Sequence, residues 1–254
     1  KKSLNSDCLL ISHDQKDLTP ENSIKISTKS VVNPSTYLIR GSALETSKEI
    51  KEKISNYSTI ILMSNLAGKA GAGIAPVISR ICKQEQKNVL SFAIMPFKFE
   101  KERIFQSGIA LKRIRQDSQC TIVLDNDALL DSNPDLTQKK CYEISNKTIE
   151  CMVVSLKSSE ISESTNILST SKTADDIQVS LKDSLRMLYE DAPPGSIKRT
   201  MLYVYGNRDI PVGVLNTISN ITGGTFDENS IHMDMSSSES KVVMLSSIQG
   251  ETRF

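Results

Sequence analysis

Three glycines after an apolar run carry the most chemistry in this chain. The segment Thr59-Ile60-Ile61-Leu62-Met63-Ser64-Asn65-Leu66-Ala67-Gly68-Lys69-Ala70-Gly71-Ala72-Gly73-Ile74-Ala75-Pro76 predicts a buried strand, a tight turn and a helix starting near Ile74. Gly68, Gly71 and Gly73 would let backbone N–H groups converge on an anion with no Cβ in the way. The helix that follows would aim the positive end of its dipole at the same point. Lys69 would add a charge there, or simply point to solvent. No Gly-Lys-Ser/Thr closes the turn, so it is not a Walker loop. A tight strand-to-helix connection with no ligand is the alternative. Downstream, Asn126 offers two donors and an acceptor able to read a base or a sugar. Its alternative is an Asx turn ending a strand. Tyr142 and Asn146 stand at i and i+4 of a predicted helix and so share a face.

These residues need elements to hold them. Short apolar runs at 8–12, 59–64, 89–95 and 120–124 read as strands, and amphipathic stretches near 43–56, 74–87, 103–116 and 135–158 as helices. Such alternation implies right-handed crossovers and a parallel sheet. Ligands then sit outside the carboxyl ends of the strands, where the glycine turn, Pro96-Phe97-Lys98-Phe99-Glu100 and Asp125-Asn126-Asp127 all fall. The stretch 135–158 reads as a long central helix, and the serine-rich 158–165 as a domain junction. Beyond it the pattern gives a strand at 166–170, a helix capped near Thr173 with Asp175 and Asp176 in its first turn, and a Pro193-Pro194-Gly195 turn. A strand at 201–205, a helix at 211–221 and an antiparallel pair, 230–235 with 241–248, complete it. The serine tract 236–240 would be the hairpin loop.

Composition narrows the function classes. With 31 basic and 30 acidic residues the net charge is +1, so no global field draws nucleic acid or an anionic membrane. The five cysteines form no Cys-x-x-Cys pair and read as reduced, mostly buried thiols of a cytosolic protein. Two histidines, His13 and His232, leave little for a His-based metal site or triad. No apolar run approaches the roughly 20 residues of a membrane span. A dinucleotide oxidoreductase is disfavoured: the turn is not Gly-x-Gly-x-x-Gly, and Met95-Pro96-Phe97 stands where an acid would be needed.

The run from Ala67 to Pro76 resembles the phosphate loop of the FtsZ/tubulin family, Gly-Gly-Gly-Thr-Gly-Thr-Gly followed by Ala-Pro. Pro96-Phe97-Lys98-Phe99-Glu100 is similar to that family's Pro-Phe-x-Phe-Glu, and Asp125-Asn126-Asp127-Ala128-Leu129-Leu130 to its Pro-Asn-Asp-x-Leu-Leu. Upstream, Ile11-Ser12-His13-Asp14-Gln15-Lys16-Asp17-Leu18 and Asn33-Pro34 resemble further family segments. The motifs keep family order over most of residues 8–156 and, more loosely, 165–250. The resemblance is to a divergent, archaeal-type FtsZ-like protein with a degenerate catalytic loop. It implies an α/β fold: a Rossmann-like parallel-sheet GTPase domain, a long central helix and a smaller α+β C-terminal domain. The expected boundaries are 1–134 for the nucleotide-binding domain, 135–164 for central helix and junction, and 165–254 for the C-terminal domain. The strand at 8–12 corresponds to the family's second, so the N-terminal strand and first glycine loop are expected to be absent, either because the chain is an N-terminally trimmed fragment or because it lacks them.

The resemblance also assigns roles. Gly68, Lys69, Gly71 and Gly73 would cradle phosphate, Glu100 and Arg103 would contact ribose, Tyr142 would stack on guanine and Asn146 would bond its edge. Glu100 and Arg103 otherwise read as an ordinary charged helix start. Ala70 and Ala72 replace threonines, and Ala67 and Lys69 replace glycines. Each lost hydroxyl costs about 1 kcal/mol of binding. Family members follow the central helix with Asn-x-Asp-x-x-Asp, whose acids position the attacking water in the next subunit's site. At the matching distance stand Asn166, Leu168 and Ser171. Glu160 and Glu163 keep an acid-x-x-acid spacing and are the remaining catalytic candidates. The expected cofactor is GTP or GDP, with or without Mg2+, bound weakly or lost. The expected partner is a second copy or a related FtsZ-like protein, stacked head-to-tail in the cytoplasm as a cytoskeletal or cell-division filament with weak or no GTPase activity. The alternative is a non-polymerising regulatory or scaffold protein of the same fold that has lost nucleotide.

Overall fold

The structure, a computed structural model, describes residues 6–29, 32–155, 165–172, 176–206, 212–213, 216, 228–234 and 241–254. The chain divides into two compact units, Lys1–Thr121 and Ile122–Phe254. The first carries β1 (Leu10–Ser12), β2 (Ser23–Lys25), α1 (Thr36–Glu45), α2 (Ser47–Ile54), β3 (Thr59–Asn65), α3 (Lys69–Gln84), β4 (Asn88–Met95) and α4 (Lys101–Asp117). β5 (Cys120–Asp125) runs across the division. The second then carries α5 (Asn126–Ser132), α6 (Gln138–Ser155), β6 (Thr165–Thr170), α7 (Ile177–Asp191), β7 (Ile197–Tyr205), β8 (Glu228–Asp234) and β9 (Lys241–Ile248).

The α/β class and the parallel pairing expected of the first half are both present. β3 and β4 pair in parallel, Thr59 against Asn88 through Asn65 against Ile94. β1 and β2 form a separate parallel pair. Helix α3 buries Ile74, Val77, Ile78, Ile81 and Cys82, one apolar stripe at helical spacing. Burial pushes the Cys82 thiol up to about 11, so it stays an inert thiol. Cys120 and Cys141 are buried too.

Helix α3 starts at Lys69, five residues before the expected Ile74. A proline in the first turn of a helix costs nothing, because its missing N–H has no partner there. Inside the helix, Pro76 instead leaves the Ala72 carbonyl without its i+4 donor. Arg40 of α1 supplies one: its Nη2 donates to the Ala72 oxygen at 3.3 Å. The amphipathic stretch read at 43–56 resolves into α1 and α2, which meet at Thr46. The Ser35 hydroxyl caps α1 by accepting from Leu38 N at 3.3 Å.

In the second unit the strand order is β5-β6-β9-β7-β8. The expected antiparallel pair of the last two strands is not formed. β7 lies between them, antiparallel to β9 and parallel to β8. β7 is buried along Thr200–Tyr205, which suits a central strand with neighbours on both edges. β6 pairs antiparallel with the other edge of β9. The core here joins Ile167, Leu181, Leu188, Leu202, Val204, Val242 and Met244. Asp176 is the N-cap of α7 rather than a first-turn acid, its carboxylate accepting from Gln178 N at 2.7 Å. Helix α5 went unread, because a seven-residue helix shows little periodicity. The junction at 158–164, Thr173, Asp175, most of 211–221 and the serine tract 236–240 lie outside the described residues.

The glycines of α3 let the helix pack closely. None has a positive φ; Gly250 is the glycine that does among the described residues. A Cβ on Gly71 would stand 2.0 Å from the Asn65 carbonyl oxygen, and one on Gly73 3.0 Å from Ile39 Cγ2. The helix therefore lies directly on the end of β3 and on α1. Gly71→Ala is expected to destabilise the protein by about 1–3 kcal/mol, as overpacking against backbone does. Gly108→Ala, on an open face of α4 with nothing within 4 Å, is expected to stabilise by about 0.5–1 kcal/mol. Urea denaturation midpoints of the two variants check the contrast.

Candidate functional site

In the first unit the site begins at the end of β3. Asn65 organises the turn: its side-chain oxygen accepts from Ala67 N at 3.0 Å and its carbonyl from Gly68 N at 3.2 Å. Gly68 is the N-cap of α3, and no side chain caps it. The first intrahelical bond runs from Ala72 N to Gly68 O. The amides of Lys69, Ala70 and Gly71 precede it and so lack an intrahelical acceptor. With the helix dipole behind them, they form an anion-accepting surface. Lys69 is exposed, and its Nζ donates to Asn33 Oδ1 at 2.6 Å. That bond joins the glycine turn to the Asn33-Pro34 motif.

Glu100 and Arg103 stand at the start of α4, after β4. The Glu100 carboxylate accepts from Phe97 N at 3.2 Å and from Arg103 Nη1 at 2.7 Å. It thus caps its own turn and holds the guanidinium in place. Ser107, one turn on from Arg103, donates to the Leu66 carbonyl at 2.7 Å. Leu66 N in turn bonds Ile94 O at 2.9 Å. The two turns therefore sit side by side at the carboxyl ends of adjacent parallel strands, and both belong to the first unit. Asn65 and Ser107, which build this arrangement, were missed. The Asn-x-x-Gly spacing after a strand was a signal for the first; a helical serine gives none for the second.

In the second unit Asn126 opens α5 and is fully buried. Its Oδ1 accepts from Ser145 Oγ of α6 at 2.7 Å. The Asx turn belongs to its neighbour: Asp125 Oδ1 accepts from Asp127 N at 2.9 Å. Tyr142 is half-buried and Asn146 exposed, one turn apart on α6 with Ser145 between them. The structure ties Asn126 to this helix. Glu160 and Glu163 lie outside the described residues. Leu168 is buried in β6 opposite Leu245, and Ser171 is buried against the Ser180 hydroxyl. Asn166 Oδ1 accepts from Ser247 at 2.7 Å.

An unanticipated cluster surrounds Arg253. Its guanidinium bonds Asp127 Oδ2, lies 3.2 Å from Asp125 Oδ2, and reaches Asp191 at 3.8 Å and Asp131 at 4.0 Å. Burial raises the Asp125 carboxyl to about 6, against the pull of Arg253. Burial and the Asp125 charge push Asp191 well above the usual carboxylate range. Among the described residues, neither Asp191 carboxylate oxygen meets a hydrogen-bond donor. Burial is the main reason that both favour the acid form, and their closeness adds to it at Asp191. No group of His, Cys, Asp and Glu among the described residues is arranged to hold a metal ion.

The glycine turn and the Glu100–Arg103 pair lie in a segment that one known family accounts for. The family model described as Tubulin/FtsZ family, GTPase domain matches residues 7–134, half of the chain. The chain belongs to the tubulin/FtsZ family. Cell division protein FtsZ 2 of Halobacterium salinarum is 31% identical over 100 residues, covering 39% of this chain and 25% of that protein. Cell division protein FtsZ of Aquifex aeolicus is 31% identical over 103 residues, covering 40% and 28%. The matching stretch thus spans little more than a quarter of these relatives' lengths. The fold extends further. An empty FtsZ dimer of M. jannaschii superposes with a TM-score of 0.74 at 16% identity, over 93% of this chain and 78% of that one. CetZ1 from Haloferax volcanii, a GDP-bound monomer, gives 0.72 at 16% identity, over 96% and 86%. The second unit thus shares the family's fold where it shares little of its sequence. No helix among the described residues is long and apolar enough to cross a membrane.

The buried carboxyls make stability depend on pH. Asp125 titrates near 6 in the folded protein, against an ordinary 3.8. Folding therefore favours its protonated form, and that contribution is complete below about pH 4 and lost as pH rises through about 6. Asp191 acts in the same direction. Asp191→Asn, whose amide donates without titrating, is expected to flatten this part of the profile. Urea midpoints of both proteins between about pH 4 and 7 measure it.

Proposed function

We propose that this chain is a guanine-nucleotide-binding protein of the tubulin/FtsZ family that assembles head-to-tail with itself or a related copy, in the cytoplasm, and hydrolyses GTP slowly or not at all. The observation that carries this reading is the uncapped start of α3 beside the Glu100–Arg103 pair. Three amides with no intrahelical acceptor and a helix dipole suit phosphate, and a fixed carboxylate–guanidinium pair at the neighbouring strand end suits a ribose. Tyr142 and Asn146 on one face of α6 would stack on and read a guanine. Bound nucleotide would bring its own phosphate charge, with or without Mg2+, to the amides of Lys69, Ala70 and Gly71. We place the nucleotide-binding domain at 1–134, the central helix and junction at 135–164 and the C-terminal domain at 165–254. A head-to-tail interface is heterologous and builds open filaments.

The catalytic half of the reading rests on Leu168 and Ser171. Both are buried and one is apolar, so neither orients a water. Phosphoryl transfer depends on positioning and charge stabilisation, and losing the water-orienting group costs orders of magnitude in rate. Glu160 and Glu163 are the remaining acids. A scaffold without nucleotide is the second reading. Two observations favour it: contacts with Asn65 and Ile39 account for Gly71 and Gly73 without a ligand, and Asn33 engages Lys69.

Calorimetry with GTP and with ATP separates the two. GTP is expected to bind more tightly, and Tyr142→Ala to cost about 1–3 kcal/mol, the scale of base–aromatic stacking. Equal affinity for both nucleotides, or none, would overturn the guanine-nucleotide reading, and binding of neither would favour the scaffold. Phosphate release at filament-forming concentration is expected at background in the unaltered protein, Glu160→Ala and Glu163→Ala. Robust release abolished by either substitution would make that glutamate catalytic.

A further inference from the structure

The last described residues reach back to the turn that carries Asn126. Gly250, at φ +135°, redirects the chain after β9, and its Cα lies so close to Ser196 that an added Cβ would stand 3.3 Å from Ser196 Cβ. Gln249 N bonds Ser196 O at 2.8 Å, and Arg253 N bonds Asp191 O at 2.9 Å. Phe254 packs on the core of Ile177, Leu181 and Leu188. These anchors deliver one guanidinium to Asp125 and Asp127, the two residues that flank Asn126. Asn126 in turn holds Ser145, which sits between Tyr142 and Asn146 on α6. Polar contacts and the backbone of residues 125–127 thus link the C-terminal segment to Ser145 of α6, all within the second unit.

We propose that Arg253 is a positioning residue for the base-reading face of α6, acting through Asp125, Asp127, Asn126 and Ser145. The proposal rests on the nucleotide-binding reading above. Removing the guanidinium takes an ion-pair partner from Asp125 and Asp127, beside the acidic Asp131, Asp191 and Glu190. The turn at Asn126 relaxes by moving, and Ser145 loses its acceptor. A lysine keeps the charge and part of the reach, whereas a methionine keeps only the bulk.

Arg253→Met and Arg253→Lys are compared with the unaltered protein, folding being checked by circular dichroism. GTP affinity is read by calorimetry. The side-chain amide signals of Asn126 and Asn146 are followed by nitrogen–proton NMR without nucleotide, assigned by single substitution. Arg253→Met is expected to shift the Asn126 amide pair and to weaken GTP about tenfold or more near pH 7.5, the loss shrinking near pH 5 as the carboxylates take up protons. Arg253→Lys is expected to retain the signals and to stay within about threefold in affinity. If Arg253→Met does not fold, Asp127→Asn replaces it, with the Asn126 shift again expected. An unmoved Asn126 amide pair in a folded Arg253→Met or Asp127→Asn protein overturns the proposal. Absence of GTP binding by the unaltered protein instead overturns the nucleotide reading, and the amide shift still decides whether Arg253 holds the turn.

Discussion

The missing Cβ of Gly71 governs the geometry of the first unit. With the Asn65 carbonyl oxygen 2.0 Å from where that atom would stand, α3 approaches the end of β3 as closely as backbone allows. The turn between them is then short enough for Asn65 to close it with its own side chain and carbonyl. The same approach presents the amides of residues 69–71 at the strand end. It also presses α3 onto α1 at Gly73, which puts Arg40 within reach of the carbonyl that Pro76 leaves unpaired. Packing and the placement of those amides therefore draw on one feature. A glycine there says that the backbone comes close; it does not say to what.

Much of this arrangement was legible along the chain. The apolar run before three glycines marks a strand, a turn and a helix, and the alternation after it marks a parallel sheet. The start of α3 lies five residues before the expected one, and Pro76 sits inside the helix, where Arg40, distant in sequence, bonds the carbonyl it leaves unpaired. The central place of β7 had a signal in the run Met201-Leu202-Tyr203-Val204-Tyr205, since a strand apolar at every position needs cover on both faces. Reading consecutive strands as neighbours overrode it. The cluster around Arg253 had no local signal. Asp127 and Arg253 are 126 residues apart, and only the tertiary fold makes them partners.

The candidate site divides along the same line. The residues expected to hold phosphate form a contiguous motif, so the order of residue types points to them. The residues expected to read a base depend on the face α6 presents, and Asn126 supports that helix from inside the fold instead of standing free. A motif can be right about which residue matters and silent on whether it touches ligand or braces a neighbour.

The placement of β9 sets an order of events in biogenesis. β9 lies between β6 and β7, yet it follows both in the chain. Until residues 241–248 leave the ribosome, β6 and β7 have no common partner, and each exposes an unpaired edge. The β3–β4 pair, by contrast, closes over a short stretch of chain and can form early. The nascent second unit therefore carries open strand edges through most of its synthesis, a state prone to wrong pairing and suited to chaperone capture.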